Sequence, residues 1–285
     1  MQKNYSTKHQ DINLPIRYTE KPITAWGGPK VMARWSERIH LRSLLEKHLE
    51  QMRGGSNRAY DPAEIVLSFI VSVFMGAARL CHTYVLHYDE PVKRLFGFEQ
   101  VPSVSTFSRF FRRFTRRAVE EVVGALNDDL IQRMRSFHPA GGVTIDFDSS
   151  VFDQYGKQEG AVRGYNPKKP GRPSHHPLFA LIAEWKWVLH LWLRRGDTVS
   201  GSGAVAFFQE VMARKPRWMK VALVRLDSGF FWDSIMEELE RLKLLYIVVA
   251  KMNARIRSQI GRVSRWQHAS PLLPDKRNPM RSSEA

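Results

Sequence analysis

The feature that most constrains this fold is a pair of short apolar runs that each lead into an aspartate. Residues 143–148 read Val-Thr-Ile-Asp-Phe-Asp, and residues 222–227 read Ala-Leu-Val-Arg-Leu-Asp. Short apolar runs bounded by turn residues predict buried strands. Each of these two strands therefore ends in a carboxylate, at Asp148 and at Asp227.

The surrounding pattern predicts an α/β core. Two more apolar runs lie only a few residues apart and predict a hairpin, and two helical patterns and a last strand follow. The predicted order is β-β-β-α-β-α-β, with strands at 143–148, 178–184, 188–194, 221–226 and 244–250 and helices at 204–213 and 232–242. Right-handed crossovers place the fourth strand parallel to the first and beside it. We therefore expect Asp148 and Asp227 to emerge at one edge of a mixed sheet with helices on its faces, where open α/β sheets build their sites.

The region before this core has helical periodicity. Asp61-Pro62 predicts a helix start, because aspartate is a favoured N-cap and proline fits the first helical position; this helix would run to about Leu80. Ser103 or Ser105 could cap the next helix. We divide the chain into an extended segment (1–30), a helical DNA-binding region (31–140), the α/β core (141–251) and a basic irregular tail (252–285).

A cluster of arginines follows the predicted cap. In one helix over 106–134, five arginines would lie on one face and four phenylalanines on the other: Arg109, Arg112, Arg113, Arg116 and Arg117, against Phe107, Phe110, Phe111 and Phe114. The rings need a core, and the guanidinium groups favour a phosphate backbone as partner. The alternative is a solvated basic face whose counter-charges lie elsewhere in the fold. A capped basic helix after a turn also resembles, weakly, the second helix of a helix-turn-helix.

Charge and composition narrow the class of partner. The 285-residue chain has a net charge of +16 and a pI near 10.2, which favours a polyanion, most simply nucleic acid, over a ribosome-associated role or a membrane surface. The single cysteine, Cys81, excludes an internal disulfide and a cysteine-rich zinc site. The first residues lack the apolar core of a signal peptide, and the apolar run 65–78 is too short to cross a bilayer. We expect a cytoplasmic, nucleoid-associated protein with no membrane partner.

Two neighbouring carboxylates in a basic protein suggest metal-dependent chemistry on DNA. Such groups repel one another and recruit a cation, and Mg²⁺ is commonly held by one or two carboxylates with substrate phosphate. Simpler interpretations stay open: Asp227 could cap the helical turn that begins at Ser228, and Asp148 could form an Asx-turn. Asp146 lies on the same face of its strand as Asp148 and is a further candidate acid.

Several motifs in sequence order resemble the DDE-type transposases of bacterial insertion sequences. The resemblance covers about 63–251 and is carried by Thr-Ile-Asp-Phe-Asp-Ser-Ser-Val (144–151), Tyr-Gly-Lys-Gln-Glu-Gly-Ala (155–161), Gly-Tyr-Asn-Pro-Lys-Lys (164–169), Gly-Arg-Pro-Ser-His-His-Pro (171–177), Leu-Arg-Arg-Gly (193–196) and Arg-Leu-Asp-Ser-Gly-Phe (225–230). It implies a ribonuclease H-like fold and an Asp-Asp-Glu set that binds two Mg²⁺ ions to nick element ends and join them to target DNA. It assigns the first catalytic and metal-binding acid to Asp148, which directly precedes small hydroxyl residues, and the second to Asp227.

The chain departs from that family in its third acid. Family members carry a glutamate on a helix well after the fifth strand, yet beyond Lys251 the only acids are Asp275 and Glu284, in a proline-broken stretch. The acids of the helix before the fifth strand lie on the wrong element. We therefore predict a C-terminally truncated member that binds DNA with little or no strand transfer of its own. The alternatives are a non-catalytic inhibitor that competes with, or forms mixed oligomers with, a full-length relative, and a nuclease that uses Asp146.

Three smaller groups complete the predictions. Lys168, Lys169 and Arg172 lie in a proline-glycine loop and could grip DNA near the scissile phosphate, or belong to a plain solvated loop. His175-His176 is a poor metal site, because adjacent residues of an extended segment point opposite ways. Tryptophans 185, 187 and 192 of the hairpin favour structural packing over base stacking.

Overall fold

The computed structural model describes residues 23–55, 59–156, 158–199 and 201–264, apart from the side chain of Arg116. The chain divides into two compact units, Met1–Arg133 and Met134–Ala285. The division comes before the predicted boundary at residue 140, because the 3₁₀ turn Met134–Phe137 belongs to the second unit. No helix among the described residues is long and apolar enough to cross a membrane.

The first unit is helical. Its helices are α1 (Pro29–Arg38), α2 (Leu41–Leu49), α3 (Pro62–Phe74), α4 (Val85–Tyr88), α5 (Glu90–Phe96), α6 (Val104–Phe111) and α7 (Arg116–Arg133), with 3₁₀ turns at Glu50–Met52 and Leu80–Tyr84. The predicted start of α3 is confirmed: the Asp61 carboxylate accepts the Ala63 N–H at 2.8 Å, and Pro62 takes the first helical position. The helix ends before the predicted Leu80, because Gly76 turns the chain with a φ of 99°.

The core of this unit forms around α3. Its buried face packs into a cluster with side chains of the neighbouring helices, including Leu45 of α2, Leu86 of α4 and Phe107 of α6. Phe110 is also buried, and Phe111 and Phe114 pack partly buried against the same cluster. The predicted inward face of phenylalanines is thus confirmed, and it anchors α6 to the core.

The single helix predicted over 106–134 is wrong, because the chain breaks between α6 and α7. The Arg113 and Phe114 N–H groups donate to the carbonyls of Phe110 and Phe111, which tightens the end of α6. Thr115 then caps α7, its Oγ1 accepting the Ala118 N–H at 3.2 Å. A threonine hydroxyl that satisfies backbone donors competes with helix continuation, so a new helix begins here although the segment holds no glycine or proline.

The second unit holds the predicted mixed sheet. Its principal strands are β1 (Val143–Ser149), β5 (Leu178–Ile182), β6 (Trp187–Trp192), β7 (Val221–Leu226) and β8 (Tyr246–Val248), in the spatial order β6-β5-β1-β7-β8. β1 pairs in parallel with β7 and β7 with β8, while β5 is antiparallel to both β1 and β6. With α8 (Ala204–Arg214) and α9 (Asp233–Arg241) in the crossovers, this is the predicted ribonuclease H-like order.

A second, smaller sheet lies between β1 and β5, where the sequence predicts no strand. It consists of β2 (Phe152–Asp153), β3 (Val162–Arg163) and β4 (Pro173–His175), in the order β2-β4-β3. Gly164 allows a close backbone approach here, because a Cβ built on it would lie 1.9 Å from the Gly196 carbonyl oxygen. Strands this short carry no readable alternation, so the pattern could not predict them.

The helices α8 and α9 position the sheet edge that carries the aspartates. The inward residues of β1 are fully buried or nearly so, and the Phe147 ring lies 5.4 to 6.3 Å from the rings of Phe207, Phe208 and Phe230. This aromatic cluster fixes the end of β1 against α8 and against the turn after β7.

A further helix, α10 (Ala254–Gly261), is capped by Asn253. The prediction of an irregular tail from residue 252 is therefore wrong for these residues. Residues 265–285 lie outside the described residues.

Candidate active site

Asp148 and Asp227 occupy equivalent positions on two adjacent parallel strands. Phe147 of β1 is paired with Leu226 of β7, so the next residue on each strand is an aspartate. Both side chains are exposed at the carboxyl edge of the sheet. The predicted juxtaposition of the two carboxylates therefore follows from the observed register.

Each aspartate also accepts a local backbone hydrogen bond. Asp148 Oδ1 accepts the N–H of Ser149 at 2.7 Å, and Asp227 Oδ1 accepts the N–H of Gly229 at 2.9 Å and caps the 3₁₀ turn Ser228–Phe230. The capping interpretation of Asp227 is thus correct as local structure. It does not exclude a ligand role, because an ionised carboxylate keeps further lone pairs for a cation.

The protein around Asp227 raises the pKa of its carboxyl. Desolvation by the surrounding protein is the largest cause that raises the pKa of Asp227, and the charge of Asp148 raises it further. The Gly229 N–H and the Lys251 ammonium act in the opposite direction. A divalent cation between the two carboxylates would relieve both costs.

Asp146 is engaged elsewhere. It is the direct cross-strand partner of Arg225, whose Nε and Nη2 donate to its two oxygens at 2.5 and 2.6 Å. A bidentate guanidinium occupies both oxygens of a carboxylate in one plane. The geometry therefore favours Asp148 over Asp146 as the partner of Asp227.

No third acid joins the pair within the described ranges, where no group of three or more His, Cys, Asp or Glu side chains could hold a metal ion. Glu238 of α9 accepts from Gln209 and Arg241, and Glu240 accepts from the Tyr246 hydroxyl. Asp275 and Glu284 lie outside the described residues.

The basic loop near β1 is organised around an exposed tyrosine. Lys169 Nζ donates to the Tyr155 hydroxyl at 2.6 Å and pairs with Asp153 at 3.1 Å, while the Arg172 guanidinium lies 4.6 Å from the Tyr155 ring centroid. Asn166 and then Lys169 lower the pKa of the Asp153 carboxyl. Lys168 is exposed. Lys169 thus has a structural role in this loop, and Lys168 and Arg172 present their charge to solvent.

The arginines of the first unit do not form the single stripe that one helix would give. Arg109 lies on α6, Arg112 and Arg113 lie in the turn, and Arg117 lies on α7, all exposed. Arg117 Nε donates to Glu121 at 2.7 Å, so part of this charge is balanced within its own helix. The side chain of Arg116 lies outside the described residues.

The paired histidines and the hairpin tryptophans have structural contacts. The rings of His175 and His176 contact different carbonyls, Glu159 O and Thr198 O, so they do not converge on one ion. Trp185 packs beside Trp218, and Trp192 beside Phe207, which is the expected structural packing.

Two residues at the same edge escaped the sequence analysis. Trp232 follows the turn after β7, and Lys251 follows β8, with its Nζ 4.2 Å from the Trp232 ring centroid. The position of Lys251 in the sequence could have indicated this. Lys251 follows the strand predicted beside the one that ends at Asp227, and the carboxyl ends of parallel strands lie at one edge of the sheet.

Comparison of the sequence with known protein families identifies the family of this chain. The family described as transposase DDE domain, group 1, matches residues 7–273, which is most of the chain. The chain belongs to the DDE-domain transposases. No curated protein matches its sequence.

Solved structures of transposase complexes superpose only loosely. The piggyBac transposase synaptic complex with hairpin DNA is 16% identical with a TM-score of 0.43, covering 84% of this chain and 54% of that one. The Drosophila P element strand transfer complex is 10% identical with a TM-score of 0.34, covering 76% and 48%. The Mos1 strand transfer complex is 13% identical with a TM-score of 0.26, covering 70% and 82%. The chain thus spans about half the length of the piggyBac and P element proteins, and its family membership rests on the sequence match.

Proposed function

We propose that this chain is a DNA-binding transposase polypeptide in which Asp148 and Asp227 are the first two acids of the catalytic set. The observation that carries the proposal is their placement on neighbouring parallel strands, one residue beyond the Phe147–Leu226 pair, in a chain of the DDE transposase family. The reaction class is phosphoryl transfer on DNA, cleavage at element ends followed by strand transfer.

The donor set fits one divalent cation better than two. Two carboxylates at one sheet edge suit Mg²⁺, which completes its shell with water and substrate phosphate, and the raised pKa of Asp227 indicates that a cation is electrostatically favoured. When bound, the ion would neutralise charge on the phosphate oxygens. A two-ion site needs a further acid, and the described residues place none beside the pair. We therefore propose that this chain alone binds metal and DNA but cleaves poorly or not at all.

Double-stranded DNA, as element end and as target, is the proposed partner. The net charge of +16 supplies a general attraction. The side chains proposed to contact phosphates are Arg109, Arg112, Arg113, Arg116 and Arg117 in the first unit and Lys168, Lys169 and Arg172 in the second. Lys169 and Arg117 already have acidic partners, so we expect the others to contribute more.

A plasmid-nicking assay tests this function. Purified chain is incubated with supercoiled DNA and Mg²⁺ or Mn²⁺, beside Asp148→Asn, Asp227→Asn and the control Asp146→Asn. We expect DNA binding by all four proteins and no nicking above background. Nicking by the wild type that is lost in Asp148→Asn and Asp227→Asn but kept in Asp146→Asn would contradict the proposed inactivity while supporting the site.

A second function is favoured because the described residues place no third acid beside the pair. A chain that binds element ends without cutting them would inhibit a full-length relative, by occupying the ends or by forming mixed oligomers. In a transposition assay with such a relative, we expect Arg112→Ala with Arg116→Ala to abolish inhibition and Asp227→Ala to leave it intact. Loss of inhibition in Asp227→Ala would instead connect inhibition to the metal site.

A further inference from the structure

A lysine stands at the same sheet edge as the two aspartates. β8 runs parallel to β7, with Val248 paired to Leu226, and the Val249 N–H donates to the Leu226 carbonyl at 3.1 Å. The chain therefore leaves β8 at the edge where β7 delivers Asp227, and Lys251 follows directly. Its charge is close enough to lower the pKa of Asp227, against the other influences that raise it.

The ammonium of Lys251 is held over an indole ring. Its Nζ lies 4.2 Å from the centroid of Trp232, within the range of a cation–π contact. The ring itself is restrained at its Nε1 edge. Trp232 Nε1 donates to the Gly229 carbonyl at 3.0 Å, and Gly201 packs so closely that a Cβ there would lie 2.1 Å from Nε1. A lysine restrained in this way loses less conformational entropy when it binds an anion.

The same lysine begins a basic segment. Between residues 251 and 264 there are four cations, Lys251, Arg255, Arg257 and Arg262, and no acid. Arg255 and Arg262 lie seven residues apart and share one face of α10 with Ser258 and Gln259. All four of these residues are exposed, and no acidic side chain within the described ranges pairs with Lys251. The segment is thus a solvent-facing row of donors that starts beside the carboxylate pair.

We propose that Lys251 binds a phosphate of the DNA strand that reaches the Asp148–Asp227 edge, and that the Arg255–Arg262 face of α10 follows the adjoining backbone. A strand that approaches two carboxylates is repelled by them, and a restrained cation at the same edge offsets that repulsion. Trp232 acts as a positioning residue that sets the ammonium. The inference rests on the proposed DNA-binding function and adds a specific contact to it.

Fluorescence anisotropy with a fluorescein-labelled 30-base-pair duplex, without divalent metal and over a series of KCl concentrations, tests this contact. We expect Lys251→Ala to weaken binding about five- to tenfold and to reduce the slope of log K against log salt by about one, as for one lost phosphate contact. Lys251→Arg should restore both values. Lys220→Ala is the matched control, because Lys220 is an exposed lysine at the opposite, amino-terminal end of β7.

Two further variants separate positioning from charge. Trp232→Ala should weaken binding while Trp232→Phe, which keeps a ring, should not, and Trp232→Ala combined with Lys251→Ala should bind no worse than Lys251→Ala alone. If Lys251→Ala binds DNA as tightly as Lys220→Ala and with an unchanged salt slope, the proposed Lys251 contact is overturned, while the proposed DNA-binding function is not. A wild-type chain that does not bind the duplex at all would overturn the proposed function together with it.

Discussion

At the scale of single residues, the candidate site depends on where carboxylates fall relative to strand ends. Asp148 and Asp227 could be placed from the sequence, because an apolar run shows where a strand stops and the crossover rule shows which strands are neighbours. The pairing of Asp146 with Arg225 could not be predicted from the sequence, because it depends on the cross-strand register between β1 and β7. The contact between Trp232 and Lys251 could not be predicted either, because it depends on the conformation of the connections that follow β7 and β8.

The raised pKa of Asp227 predicts an unusual dependence of stability on pH. Because folding raises this pKa, ionisation of Asp227 costs the folded state stability as pH rises through the folded-state value. Asn keeps the capping ability and removes the charge. We therefore expect Asp227→Asn to melt above the wild type at pH 7, with the difference vanishing near about pH 3, where both forms are neutral.

Calorimetry between those two pH values measures the effect, and Asp146→Asn is the control. That change breaks the ion pair with Arg225 and should lower stability at pH 7 by about 1 kcal/mol, the value for a partly exposed pair. A lower melting temperature for Asp227→Asn at pH 7 would contradict this expectation, because it would mean that the hydrogen bonds to the Asp227 carboxylate outweigh its desolvation and its repulsion by Asp148.

At the scale of elements, the regular core was predictable and the irregular connections were not. The strands of the large sheet and the helices α8 and α9 fell within a few residues of their predicted ends, because apolar runs bounded by turn residues carry a strong signal. The break between α6 and α7 was missed, since nothing in Arg112–Thr115 is a strong helix breaker. There, packing of Phe114 against the core and capping by Thr115 outweigh helix propensity.

The break makes a prediction about Thr115. Removing its hydroxyl in Thr115→Ala leaves a backbone donor of α7 without its cap, so the free energy of unfolding should fall by about 1 kcal/mol. Urea denaturation followed by circular dichroism measures this change. Ser43→Ala, at an exposed position inside α2, should change the same quantity by less than about 0.5 kcal/mol. Equal effects from the two substitutions would mean that Thr115 is not a cap that matters to stability.

At the scale of the whole molecule, both the fold class and the family could be predicted from the sequence. The charge of +16 and the order β-β-β-α-β-α-β are consistent with the family match over residues 7–273, which shows that the chain belongs to the DDE-domain transposases. The proposed site brings two acids together, and the described residues place no third acid beside them. Whether the pair acts as a metal site is therefore the central question.

Binding of Mn²⁺, followed by electron paramagnetic resonance of the free ion, answers that question most directly. We expect one Mn²⁺ site in the wild type. Its affinity for Mn²⁺ should be unchanged in Asp146→Asn and at least about tenfold weaker in both Asp148→Asn and Asp227→Asn, since each of these removes one of two carboxylate ligands. Equal Mn²⁺ affinity in the wild type, Asp148→Asn and Asp227→Asn would contradict this prediction.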